Sequence, residues 1–215
     1  MLAIFVVFVH VLGVFSMEDR SAMHPSSTTQ RIKTFDGWDF FQRNRQVDMQ
    51  LRNFNFSMNG SVVCLSSTRN VSMHASHKMT DNLRYKNNVT GEWRNFTQTY
   101  IFYNNSRGYN IMNSSAETAS PSVSLEFLLV GYKCAIVKVA FLQNIASGMP
   151  DKEAQSFPPN GKKHSMCAIL VAHAYVDEPQ PYCNREFDSL CGNGTVYAVY
   201  DQNECNRTSS KTPHC

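Results

Sequence analysis

Between residues 47 and 200 the chain is a succession of short runs that alternate apolar and polar side chains or are rich in β-branched and aromatic ones. No other feature constrains the fold as strongly, because a period of two puts alternate side chains on opposite faces of a strand. The runs cover 47–56, 61–67, 83–87, 93–103, 109–112, 123–130, 134–142, 167–176 and 195–200. Turn chemistry separates them: Asn88-Val-Thr-Gly91, Gly131, and a stretch holding Gly148, Pro150, Pro158, Pro159, Asn160 and Gly161. Only 35–41 (FDGWDFF) and 181–190, closed by Gly192, read as helices. Eight or nine short strands without intervening helices predict an antiparallel barrel or sandwich and disfavour a parallel α/β enzyme fold. The 215 residues fit one domain, or at most two small ones.

The N-terminus sets the expected compartment. Residues 2–15 (LAIFVVFVHVLGVF) are apolar and uncharged, too short a run to span a bilayer comfortably, and Val14 and Ser16 precede a plausible cut. Residues 1–16 therefore read as a secretory signal peptide and 17–34 as a flexible arm, which predicts a secreted, extracellular protein. Nine N-x-S/T sequons agree with this, at Asn55, Asn59, Asn70, Asn88, Asn95, Asn104, Asn113, Asn193 and Asn206. Twenty Lys and Arg against seventeen Asp and Glu give +3, too little for a nucleic-acid binder, and no further run is apolar enough to cross a membrane. No G-x-S-x-G, H-E-x-x-H, P-loop or G-x-G-x-x-G motif is present, so neither enzyme activity nor a cofactor is expected. His74 and His77 lie in a polar loop and read as surface histidines rather than metal ligands. His173, by parity with Cys167, faces outward.

A used sequon must point to solvent. With Asn95 outward, Thr97, Thr99 and Ile101 follow it, and the inward set is Arg94, Phe96, Gln98, Tyr100 and Phe102. Three aromatics with an Arg and a Gln fit either a core with a polar rim or a ligand cavity with a few polar hooks.

The C-terminal third carries a more specific pattern: CAILV from Cys167, then Cys183, Phe187, Cys191-Gly192, Tyr197, Tyr200-Asp201 and Cys205. Together with Asp36-Gly-Trp38, SVVCLSS around Cys64 and GYKCAIV around Cys134, it resembles the tick salivary lipocalins, the histamine-binding-protein family. The resemblance spans 35–205, leaving 206–215 as a tail. It implies an all-β fold, an eight-stranded antiparallel lipocalin barrel with a short N-terminal helix and a disulfide-stapled C-terminal helix. It also implies the pairs Cys64–Cys205 and Cys134–Cys183, with Cys167–Cys191 as the third and Cys215 left over.

The resemblance further implies capture of a small host mediator, a biogenic amine such as histamine or a lipid such as an eicosanoid, to suppress host defence. The family's amine motif places an Asp after the seventh-strand Cys and a Glu on the eighth strand. Here Ala135 and Ala168 stand at those places, with Ile169 and Leu170 after. Ala135, Val137, Ala168 and Leu170 would make small apolar walls, which favours a lipid over an amine. Arg94 would pair with its carboxylate head, and Trp38, Phe96, Tyr100 and Phe102 would complete the cavity. Asp39, Asp48 and Glu126 keep an amine open. The alternative is a surface-mediated inhibitor of a host protein such as complement.

Overall fold

The structure is a computed structural model that describes residues 35–55, 62–115, 122–142, 165–192 and 194–206, with backbone only for 141 and 142. The leader, the arm, Asn59, Asn193, most of the Pro/Gly-rich loop and residues 207–215 with Cys215 lie outside the described residues.

Helix α1 (Gly37–Arg43) comes first, followed by β1 (Gln46–Arg52), β2 (Val62–Met73), β3 (Lys78–Asn87) and β4 (Trp93–Asn105). Then come β5 (Gly108–Ser114), β6 (Val123–Val130), β7 (Cys134–Leu142) and β8 (Cys167–Ala172). Helix α2 (Pro181–Cys191), the two-residue β9 (Tyr197–Ala198) and α3 (Gln202–Cys205) end the described chain. Strands β2 to β8 pair antiparallel in sequence order, β8 pairs with β1, and β1 pairs back with β2. Eight strands thus close the predicted barrel. The short β9 adds to β1 where β2 has parted from it, at the bulge that holds Cys64 in the left-handed region (φ 55°). The largest differences from the sequence boundaries are that β2 runs on to Met73, β3 begins at Lys78 rather than 83, β1 stops at Arg52 rather than 56 and β8 at Ala172 rather than 176, and β9 is only Tyr197–Ala198.

Helix α1 plugs one end. Asp36 caps it by accepting from the Asp39 N–H (2.8 Å), and its other oxygen accepts the Tyr109 N–H (2.9 Å), which ties the cap to β5. Trp38 lies buried against Phe102 and against His74 and His77 of the β2–β3 turn. A Cβ at Gly37 would stand 2.5 Å from the fully buried Phe127 ring. The Asp-Gly-Trp element is therefore a cap, a close approach and a plug. Gly37→Ala is expected to cost about 1–3 kcal/mol, as overpacking does; an unchanged urea midpoint would refute the close packing.

Outside the barrel, α2 covers β7 and β8. All six residues of β8 are buried, with Ala168 and Leu170 in the inner core and Cys167, Ile169 and Val171 beneath α2. The helix contributes only Cys183, Phe187 and Cys191 to that contact, and two of these three are bridged: Cys134–Cys183 and Cys167–Cys191. Cys64–Cys205 ties α3 to β2.

His173 sits in a 3-10 turn after β8, half exposed, with Nδ1 2.7 Å from the carboxylate of buried Asp48. Burial holds the Asp48 carboxyl above its usual range, and the hydrogen bond and charge of His173 oppose this. An acid raised in the folded state loses stability as pH climbs from its unfolded value through its folded one. His173→Ala removes the opposing partner and should destabilise by about 1–3 kcal/mol near pH 8 and much less at pH 4. Equal losses at both pH values, by urea titration, would contradict the coupling.

Candidate ligand-binding cavity

Antiparallel order places the β2–β3, β4–β5 and β6–β7 turns at the plugged end and the other inter-strand connections at the opposite end. Between them lies a cavity of about 120 Å³. Its residues come from every strand from β1 to β8, with Phe41 of α1 and Phe54 after β1. Fourteen of the seventeen lining residues are Phe, Val, Leu or Met; Ser67, Tyr85 and Tyr100 are the others, and none is basic or acidic. Such a wall takes an apolar body and leaves orientation to a few polar groups.

The residues singled out in sequence divide into three groups. Phe96, Tyr100, Val137 and Leu170 line the cavity. Trp38 and Phe102 do not; they lie beneath it, where Phe102 meets Trp38, Phe41 and Phe127 edge-on or tilted. Ala135 and Ala168 are fully buried in the inner core, opposite Leu170 and Val137 respectively, and are not among the lining residues.

Arg94 requires a correction. It shares the parity of Phe96 but is exposed and pairs with Glu92 (3.2 Å). The reason is length. β5 ends at Ser114 opposite Tyr100, so among the described residues the first part of β4 has only β3 beside it. Arg52, which is fully buried, donates to the carbonyls of Phe54 and Val62 (3.0 and 3.2 Å) at the unplugged end. Neither supplies the head-group hook expected of Arg94.

Of the acids expected to keep an amine open, Asp48 pairs with His173 outside, Glu126 lies 3.5 Å from Arg107, and Asp39 is on α1; none lines the cavity. The acid inside is Asp81, which sequence reasoning missed. On β3 the inward series is Met79, Asp81, Leu83 and Tyr85, and the apolar pattern in the sequence begins only at 83, two residues after the acid. Asp81 is fully buried. One oxygen accepts from the Ser67 hydroxyl (2.5 Å) and the other has no hydrogen-bond partner. Burial pushes its carboxyl up to about 6, against the Ser67 hydrogen bond and the nearby Arg69 charge. Burial first, and then the Asp81 charge, raises the Tyr100 phenol far above its ordinary value. Asp81 thus stands directly behind two of the three polar residues of the cavity wall.

A closed eight-stranded barrel, plugged at one end by a helix and enclosing an apolar cavity, is a lipocalin-type ligand-binding fold. The chain belongs to the tick histamine binding protein family, which matches residues 26–207. Among solved structures it is similar to AM182 in complex with serotonin, at 11% identity over 80% of this chain and 93% of that one, TM-score 0.51. It is also similar to Japanin from Rhipicephalus appendiculatus bound to cholesterol, at 12% identity over 74% and 95%, TM-score 0.47. The siderocalin Ex-FABP follows at 11% over 74% and 94%, TM-score 0.42. No curated protein matches significantly. Proteins of this type bind small molecules, and three disulfides suit an oxidising, extracellular setting.

Proposed function

We propose that the protein is a secreted scavenger that holds a small mediator with an apolar or aromatic body and one basic nitrogen. The carrying observation is Asp81, a buried carboxylate with an unpartnered oxygen behind Ser67 and Tyr100 of an otherwise apolar cavity. A buried carboxylate is costly alone and is offset by a cation that hydrogen-bonds to it. A fatty acid would bring a second negative charge to the same place, and no lining residue is a cation to meet it. The sequence preference for a lipid came from Ala135 and Ala168, which stand where the amine-binding carboxylates would be, with Arg94 to meet a lipid carboxylate; Arg94 stands outside.

The apolar wall also favours a second reading, a neutral lipid that ignores Asp81. Native mass spectrometry of glycan-trimmed protein, offered serotonin, histamine, tryptamine, cholesterol and arachidonate in competition, separates the two. Retention of an aromatic amine supports the proposal; retention of cholesterol or arachidonate in its place overturns it. Binding of none of the five shifts the function to the protein surface and a host-protein target.

A further inference from the structure

We propose that N-linked glycans on Asn70, Asn88, Asn95 and Asn104 form a one-sided coat over the β2–β4 side of the barrel, on its outer face and at the strand ends. Each begins an N-x-S/T sequon, and each is exposed. They stand on adjacent elements: Asn70 on β2, Asn88 in the β3–β4 turn, Asn95 and Asn104 on β4. The inner face of these strands is fixed by Ser67, Leu83, Tyr85, Phe96 and Tyr100 at the cavity, so Asn95, next in the chain to Phe96, points the other way.

The two sides of the barrel solve the same problem differently. The outer faces of β7 and β8 are apolar and are covered by α2 through two disulfides. The outer face of β3 reads Lys78, Thr80, Asn82, Arg84 and Lys86, which is polar, and its register partner across to β4 joins Asn82 to Thr97 of the Asn95 sequon (2.8 Å). That strip of β3 offers no apolar side chain for a helix to cover, while β2 and β4 beside it leave Val71, Met73 and Tyr103 exposed, which sugar would shade.

Asn113 is not part of the coat. It is half buried on β5, and its side-chain oxygen accepts from the Ser124 hydroxyl of β6 (2.7 Å), which holds the amide against the sheet. Asn55 and Asn206 are exposed but lie after β1 and after α3. No sequon begins in the β6–β7 turn or within α2, where Tyr132 and Tyr182 are 62% and 50% exposed.

The modification is transfer of an oligosaccharide from a lipid pyrophosphate donor. The asparagine Nδ2 forms a bond to the anomeric carbon, the lipid pyrophosphate leaves, and one amide proton is lost. The test uses wild-type protein secreted from insect cells. Enzymatic glycan release in ¹⁸O water converts each occupied asparagine to labelled aspartate, read by peptide mass spectrometry. Label at three or all four of Asn70, Asn88, Asn95 and Asn104 is the expected result. Label at two or fewer of them, or higher occupancy at Asn113 than at these four, overturns the one-sided coat.

Discussion

Asp81→Asn is expected to lower affinity for an aromatic amine at pH 7.5 by 100-fold or more while leaving the barrel folded. Truncating one partner of a buried charge pair costs about 2–5 kcal/mol, and about 1.4 kcal/mol is tenfold in affinity. Asn keeps the shape and one acceptor for the Ser67 hydroxyl but removes the charge. Stability should move in the opposite direction. The Asp81 carboxyl is raised to about 6 in the folded protein, so its ionisation opposes folding as pH rises through that value. The uncharged variant should therefore melt no lower, and higher if anything, than the unliganded parent at pH 7.5. A variant that loses binding because it unfolds would show the reverse. The same group predicts the pH profile. Amine affinity requires the carboxylate, so it should be flat above pH 7 and fall about tenfold per unit below 6. Isothermal titrations at pH 5, 6, 7 and 8 give the profile, and a flat curve would remove Asp81 from the site.

Replacing Cys64 and Cys205 by Ala should give the largest loss of stability of any pair change. The bridge closes 141 residues, against 49 and 24 for the other two. In the chain-entropy view a loop of that size is worth about 5 kcal/mol, much of a domain's total stability. The bridge also holds the left-handed Cys64, whose N–H donates to Val199 (2.6 Å), and it keeps Glu204 beside Lys86 (2.6 Å). Loss of Cys167–Cys191 should be milder, because Ile169, Val171 and Phe187 still pack there. Thermal melts of the two double variants rank them, and the opposite order would show that α2 matters more than the C-terminal strap.

The barrel was legible in the sequence because strand alternation is a local signal. Eight runs separated by turn residues sufficed, and 35–41 and 181–190 stood out before and after them as the two helices. What failed were features set by neighbouring strands. Arg94 has the inward parity of Phe96, but among the described residues β5 ends at Ser114, and Arg94 stands exposed with only β3 beside it. The substitutions at Ala135 and Ala168 are plain in sequence, yet barrel stagger places both in the packed interior rather than on the cavity wall. Asp81 was hidden for a different reason. A charged residue on the inner face breaks the alternation that marks a strand, so the polar run Lys78–Asn82 concealed the start of β3 and the acid within it. Trp38 was placed by its motif, and its motif turns out to serve the plug.

The central claim is that the cavity selects a cation through Asp81. The most direct measurement is a calorimetric comparison of tryptamine with 3-ethylindole, which has the same aromatic body without the ammonium. The account predicts that tryptamine binds at least 100-fold more tightly at pH 7.5 and that Asp81→Asn abolishes the difference. Equal affinities for the two in the parent protein would contradict it and leave an apolar site that reads shape alone.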